Sequence, residues 1–161
     1  IMICAAEDVG NADPNALRVA TTASLAAERI GWPESQIILA QAAEYVATAP
    51  KSNTAVESIE AARKLVQETG DLPIPPYLQD AHYQAASKIG RGIGYQYAHV
   101  YEEHYAGQPC LPEKLRGIRL YQPSENGYEQ KIRERMAHLT GDPRYTEKEK
   151  SLPRDHHQAD R

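Results

Sequence analysis

The sequence predicts an all-α domain, and three observations carry that reading. Apolar residues recur at spacings of three and four over three long stretches of the first half. Helix punctuation falls where those stretches begin and end, with Asp13 before Pro14 and glycine at Gly31 and Gly70. The aromatic residues are lopsided, with no Phe, one Trp and ten Tyr, eight of them between Tyr77 and Tyr128. An alanine-rich helical first half is therefore followed by a Tyr/Gly-rich second half that is built differently.

The chain opens on the apolar run Ile1 to Ala6, expected to enter partway along a helix cut from a longer protein. A turn over Glu7–Ala12 leads to a first long helix, with Asp13 as N-cap and Pro14 in the first helical position, running to about Ile30. Ala16, Ala20, Ala23 and Ala27 form a small-residue stripe on it, expected to make tight helix contacts within the domain or across subunits. A second helix holds Ile37, Ile38, Leu39, Ala42, Tyr45 and Val46. It is apolar nearly all round, which predicts a central position. Ser52 is placed to cap a third helix bearing the stripe Val56, Ile59, Ala62, Leu65 and Val66. Leu72–Pro76 is read as extended, because its prolines remove donors.

Leu78 to His99 is too rich in glycine for a long helix. It reads as an ordered irregular segment, and a short hairpin is one form open to Gly94–Tyr105. Asp80, His82, Tyr83, Tyr95, Tyr97 and His99 are expected to form a structural polar network there, with His82→Ala costing about 1–3 kcal/mol. Ser124 is a candidate cap for a last helix with Tyr128, Ile132, Met136 and Leu139 on its apolar face and Lys131, Arg133, Glu134 and Arg135 on its far side. The domain is drawn over residues 1–140, with 141–161 as a charged, loosely attached tail.

Catalytic and cofactor motifs are not found. No lysine follows a glycine, so the Walker pattern is missing, and Gly90-Arg91-Gly92-Ile93-Gly94 lacks the dinucleotide-binding spacing. Asp80, His82, His99, Glu102, Glu103 and His104 are metal-ligand types, but His99 and His104 are five apart rather than four. His156 and His157 fall in the tail and read as solvated. Cys4 and Cys110 offer no disulfide framework and no activated thiol. No site for catalysis, cofactor or metal is therefore assigned. The net charge of −4 argues against a strongly basic nucleic-acid module, and no apolar run could cross a membrane. Lys88, Arg91, Arg116 and Arg119, lying among the tyrosines, are secondary candidates for DNA contact.

Four groups of residues resemble the carboxy-terminal region of the RarA/MgsA family of AAA+ ATPases. They are Glu7-Asp8-Val9-Gly10 with Ala12–Ala16; Ala47–Asn53; Asp80–Tyr83 with Gly94–His99; and Tyr121–Pro123 with Gly127–Glu129. The chain departs from the family pattern at Gln79, where arginine is common, and at Gln96, Ala98 and Val100, where lysine, proline and aspartate are. The resemblance implies a helical oligomerisation domain similar to the collar of clamp-loader subunits, non-catalytic itself and holding a homotetramer together. It implies a parent that is a cytoplasmic, nucleoid-associated, DNA-stimulated ATPase of replication-fork maintenance, recombination and repair. ATP and Mg would bind upstream of this segment. DNA, through the parent, and single-strand-binding protein are the implied partners. Two alternatives stand beside it: a DNA- or partner-protein-binding module using Tyr77–Tyr128, and a small metal-dependent enzyme.

Overall fold

The computed structural model describes residues 1–82 and 86–146, and among them the fold is all-α with no strand. A short helix α1 (Met2–Cys4) runs into a π-helical turn over Ala5–Val9 and a 3-10 turn over Gly10–Ala12. Three long helices follow: α2 (Asn15–Ile30), α3 (Ser35–Thr48) and α4 (Thr54–Thr69). The chain then passes through isolated 3-10 turns before its last helix, α5 (Glu129–Thr140).

The α2–α3 hairpin is the centre of the packing. The helix starts one residue later than expected, with Pro14 at the N-cap position; Asp13 just before it accepts from the Asn15 amide at 3.0 Å through Oδ1 and from the Tyr45 hydroxyl of α3 at 2.8 Å through Oδ2. One carboxylate thus starts α2 and fastens it to α3. Ala16, Ala20 and Ala23 are buried and Ala27 is half-buried. Ala16 and Ala20 join Ala5, Val9 and Val46 in one core cluster, with Tyr45 and Ala49 packed on it. Methyl-sized side chains let the backbones approach closely, so this core is thin and each of its atoms counts.

α3 lies in the central hairpin, but it is not buried all round as its composition suggests. Ser35, Ala42 and Val46 are buried, but Ile37 is 76% exposed. Among the described residues α3 packs chiefly on α2, with Val46 reaching Ala5 and Val9, so part of its apolar circumference faces outward. α4 shows the same pattern. Its first turn is fixed, yet its apolar stripe leaves Ile59 58% and Val66 60% exposed.

Two hydrogen bonds hold the start of α4 and the approach to α5 against the amino-terminal turns, and a third ties those two segments to each other. The Ser52 amide donates to Asp8 O at 2.8 Å, the Tyr128 amide to Ala12 O at 2.7 Å, and Asn126 Nδ2 to Lys51 O at 2.8 Å. Ser124 does not cap α5. Its hydroxyl accepts from the Asn126 amide at 3.1 Å and α5 begins at Glu129. On α5 Ile132, Met136 and Leu139 are half-buried and Lys131, Glu134 and Arg135 exposed, as expected, but Arg133 is buried with Glu129 and Tyr128 is 49% exposed. Arg133 faces inward because its Nε donates to Tyr145 O at 2.6 Å.

Past residue 140 the chain stays packed for one more turn. Pro143–Tyr145 is a 3-10 turn whose Tyr145 is buried, and Arg119 lies over the Tyr145 ring at 3.5 Å. Ordered structure therefore crosses the boundary drawn at 140. The rest of the charged tail, His156 and His157 included, lies outside the described residues. No hairpin forms over Gly94–Tyr105, which holds two 3-10 turns, Ala98–Val100 and Glu102–His104.

Candidate interaction surfaces

The described residues present three surfaces and one buried cluster that supports them. The cluster comes first, because it fixes α4 and α5 in place. Glu129 is fully buried at the first position of α5. It accepts from Ser52 Oγ at 2.7 Å, Tyr121 OH at 3.0 Å and the Ser124 amide at 2.9 Å, and from Thr54 Oγ1. Burial by itself pushes the Glu129 carboxyl up, and its donors at Ser124, Thr54 and Ser52 more than reverse this, so it titrates below the usual range. Burial pushes the Tyr121 phenol up to about 12, with the Glu129 carboxylate adding to the rise. The cluster is a saturated clasp in which every oxygen is occupied, so its role is structural.

The first surface is the tip of the α2–α3 hairpin. Gly31 closes α2 with φ 76° and its amide donates to Ala27 O at 2.9 Å. The turn that follows puts Trp32 73% exposed, between Ile30 and Ile37, both more than half exposed. The second surface is the Ile59–Val66 stripe of α4. The outer side of α4 carries charge, including the Lys64–Glu68 pair at 3.9 Å.

The third surface is the irregular segment. Gln108 closes its neck, accepting from the Gln96 amide at 3.1 Å and donating to Gly94 O at 2.8 Å. The rings of Tyr97, His99 and His104 follow one another with centroids 5.1 Å apart. Glu103 and His104 both take positive φ, 53° and 56°, and Glu103 pairs with His138 of α5 at 2.6 Å.

The polar network expected in this segment is not assembled. Asp80 and His82 form only a local pair, with His82 Nδ1 2.5 Å from Asp80 Oδ1 and the His82 side chain almost fully exposed. This contact lowers the Asp80 carboxyl below its usual range. Tyr95 and Tyr97 are each 56% exposed, and Tyr83 lies outside the described residues. The physical reason is that these side chains are exposed, so their polar tips face solvent instead of one another. His82→Ala should accordingly change stability by no more than about 0.5 kcal/mol, measured by denaturant unfolding, rather than the larger cost expected of a buried site.

The candidate DNA cations part company as well. Lys88 and Arg91 are exposed, and Arg116 pairs with Glu113 at 2.7 Å. Arg119 is built into the fold, bridged to Asp142 and stacked on Tyr145. Among the described residues no three metal-ligand side chains come together, and Asp80 with His82 is not joined to His99 with His104. No helix of the described residues is long and apolar enough to cross a membrane. The exposed apolar faces and the Glu129 cluster were not legible beforehand. For Glu129 a signal existed in Ser52, Thr54, Tyr121 and Ser124, all hydroxyl-bearing, the first two at the start of α4 and the last two on the approach to α5.

Comparison with known proteins places this arrangement. Residues 1–140 match the family model described as MgsA AAA+ ATPase C terminal. Replication-associated recombination protein A of Coxiella burnetii is 42% identical over 133 residues, 82% of this chain and 30% of that protein. The protein of the same name from Escherichia coli K12 is 39% identical, covering 84% of this chain and 30% of its own length. ATPase WRNIP1 of Dictyostelium discoideum is 31% identical over 73% of this chain and 14% of its own length. The chain thus spans about three-tenths of the length of the bacterial relatives, and it belongs to the MgsA (replication-associated recombination protein A) family of AAA+ ATPases, as their carboxy-terminal region.

Proposed function

We propose that this chain is the non-catalytic homo-oligomerisation domain of a DNA-stimulated AAA+ ATPase that maintains replication forks, and that it holds four copies together in a manner similar to a clamp-loader collar. The observation that carries the reading is the exposure of Trp32, Ile37, Ile59 and Val66, at 73, 76, 58 and 60%. Large apolar side chains left exposed mark contact surfaces, and tryptophan is enriched among the residues that anchor interfaces. Two separate apolar faces also suit an assembly larger than a dimer, because a closed tetramer of two-fold symmetry uses two different self-contacts.

Light scattering after size exclusion tests this. The expected mass is about four chains at micromolar concentration. Ile37→Glu, at a position exposed in the single chain, should lower that mass while leaving the helical circular dichroism intact, because a carboxylate buried at an interface costs several kcal/mol. A monomer at every concentration would sink the proposal.

A second reading, a DNA- or protein-binding module, is favoured by the exposed Tyr97–His99–His104 rings, since aromatic faces stack on unpaired bases. The net charge of −4 counts against it, and assembly is the reading adopted.

A further inference from the structure

Between Gly94 and Gly107 the chain loops out from the body of the domain. No residue of this stretch is buried; Ala98 and Ala106 are half-buried and every other one is exposed. The stretch therefore adds nothing to the apolar core, and polar contacts must set its position. Gln108 ties its base through the Gln96 amide and Gly94 O, so its ends are joined while its middle reaches outward, as in an Ω-loop. Beyond the base, one polar contact among the described residues joins the loop to another element. Glu103 Oε1 stands 2.6 Å from His138 Nε2, in the last turn of α5.

The docked loop holds strain at the point of attachment. Glu103 and His104, adjacent in the chain, both take positive φ, 53° and 56°, a region that side chains resist. The contact that keeps them there is an exposed one, with the Glu103 side chain 40% and the His138 side chain 68% exposed. Contacts of that kind are weak and are screened by salt. Strain on one side and a weak pair on the other bring docked and released arrangements close in free energy. The base supplies the pivots. Gly94 has φ 85° and Gly107 φ 66°, and a methyl group at Gly94 would meet nothing within 4 Å, so no packing locks this end of the loop.

We propose that residues 94–108 form a strap, hinged at its glycine base and latched to α5 by the Glu103–His138 pair, that alternates between a docked and a released state. When the latch opens, Glu103 and His104 leave their positive φ, His138 is given up to solvent, and the Tyr97–His99–His104 row turns about the base. The strap shares no residue with the faces at Trp32, Ile37, Ile59 and Val66, so it stands whether or not the chain assembles.

Amide hydrogen exchange of the 161-residue chain, followed by NMR, tests this. The His104 and Tyr105 amides donate to Tyr101 O and Glu102 O and so report on the latched turn. In the natural chain they should be protected about tenfold or less, while the amides of Ala20 and Ala23 in α2 are protected far more. His138→Ala and Glu103→Ala should each speed the two loop amides by about two- to fivefold, the weight of an exposed ion pair. Neither should change the rates in α2 or α5, since alanine is a good helix former at position 138. The double variant should be no faster than either single one, because both remove the same contact. Loop amides as slow as those of α2 would mean that the strap does not release. Single variants without effect, or a double variant that adds the two, would mean that Glu103–His138 is not the latch, and acceleration that spreads to α2 would mean that the whole fold has loosened. Each of these outcomes overturns the proposal.

Discussion

Glu129→Ala is expected to be among the most damaging single substitutions in the chain, at about 3–5 kcal/mol of folding stability. The carboxylate is fully buried and collects hydrogen bonds from Ser52, Thr54, Tyr121 and the Ser124 amide. Truncation leaves those donors in a dry site, and each unsatisfied buried group costs about 1–3 kcal/mol. For a domain of this size, that corresponds to a fall in melting temperature of roughly 6–20 °C. Glu129→Gln keeps the shape but puts an NH2 where an acceptor is needed, and should cost less than alanine. Its acid response distinguishes a hydrogen-bonded carboxylate from mere packing. Glu129 titrates below its ordinary value in the folded chain, so its contribution is present above about pH 4.3 and is lost as pH falls through the lower folded value. Asp142, held well below the usual range first by the Arg144 side chain, adds a loss of the same sign. Thermal melts from pH 7 to pH 3 should therefore fall less steeply for Glu129→Gln than for the natural chain. An unchanged acid limb would mean that the cluster contributes packing alone.

Gly127→Ala should cost about 2–5 kcal/mol, the sum of an unfavourable backbone region and a collision that cannot be relieved locally. Gly127 has φ 54°, and a methyl group there would stand 2.1 Å from Ala12 O and 2.7 Å from Pro50 Cγ. Ala12 O is already the acceptor for the Tyr128 amide at 2.7 Å, so moving it away breaks the contact that sets α5 against the amino-terminal turns. Gly141→Ala is the control. It has a similar φ of 62° but nothing within 4 Å of an added methyl group, so only the left-handed cost of about 1–2 kcal/mol remains. Denaturant unfolding of the two variants side by side separates the clash from the backbone strain. Equal losses would show that the approach of Gly127 to Ala12 is not a close one.

The two substitutions act on one joint from opposite sides. Glu129 draws Ser52, Thr54 and Tyr121 together by hydrogen bonds, and Gly127 lets the chain come close enough for them to form. Because α4 is held mainly at its first turn, loosening this joint should also disturb the Ile59–Val66 stripe proposed for assembly.

Local pattern settled much of this protein before any coordinates. The 3.6-residue spacing of Ala16, Ala20 and Ala23 set which side of α2 is buried, because methyl groups on one face favour close helix contact whatever the neighbour is. Gly31 and Gly70 ended α2 and α4 for a reason internal to each residue, a positive φ that other side chains resist. The family was legible for the same reason, since its motifs sit at the helix starts and turns that local chemistry dictates.

What the tertiary structure alone decided were the partners of each face. An apolar circumference on α3 says that burial is favourable, not that a partner covers every side, and among the described residues α2 covers most of what is buried. Arg133 falls on the charged far side of the last helix in the sequence pattern, and no pattern marks Glu129 as buried. They are buried because residues far away in sequence, Ser52 and Thr54 for Glu129 and Tyr145 O for Arg133, supply hydrogen bonds that no helical period encodes. Asp80, His82, Tyr95, Tyr97 and His99 do not gather into one network for the converse reason: polar side chains hold one another only where water is excluded, and these are exposed.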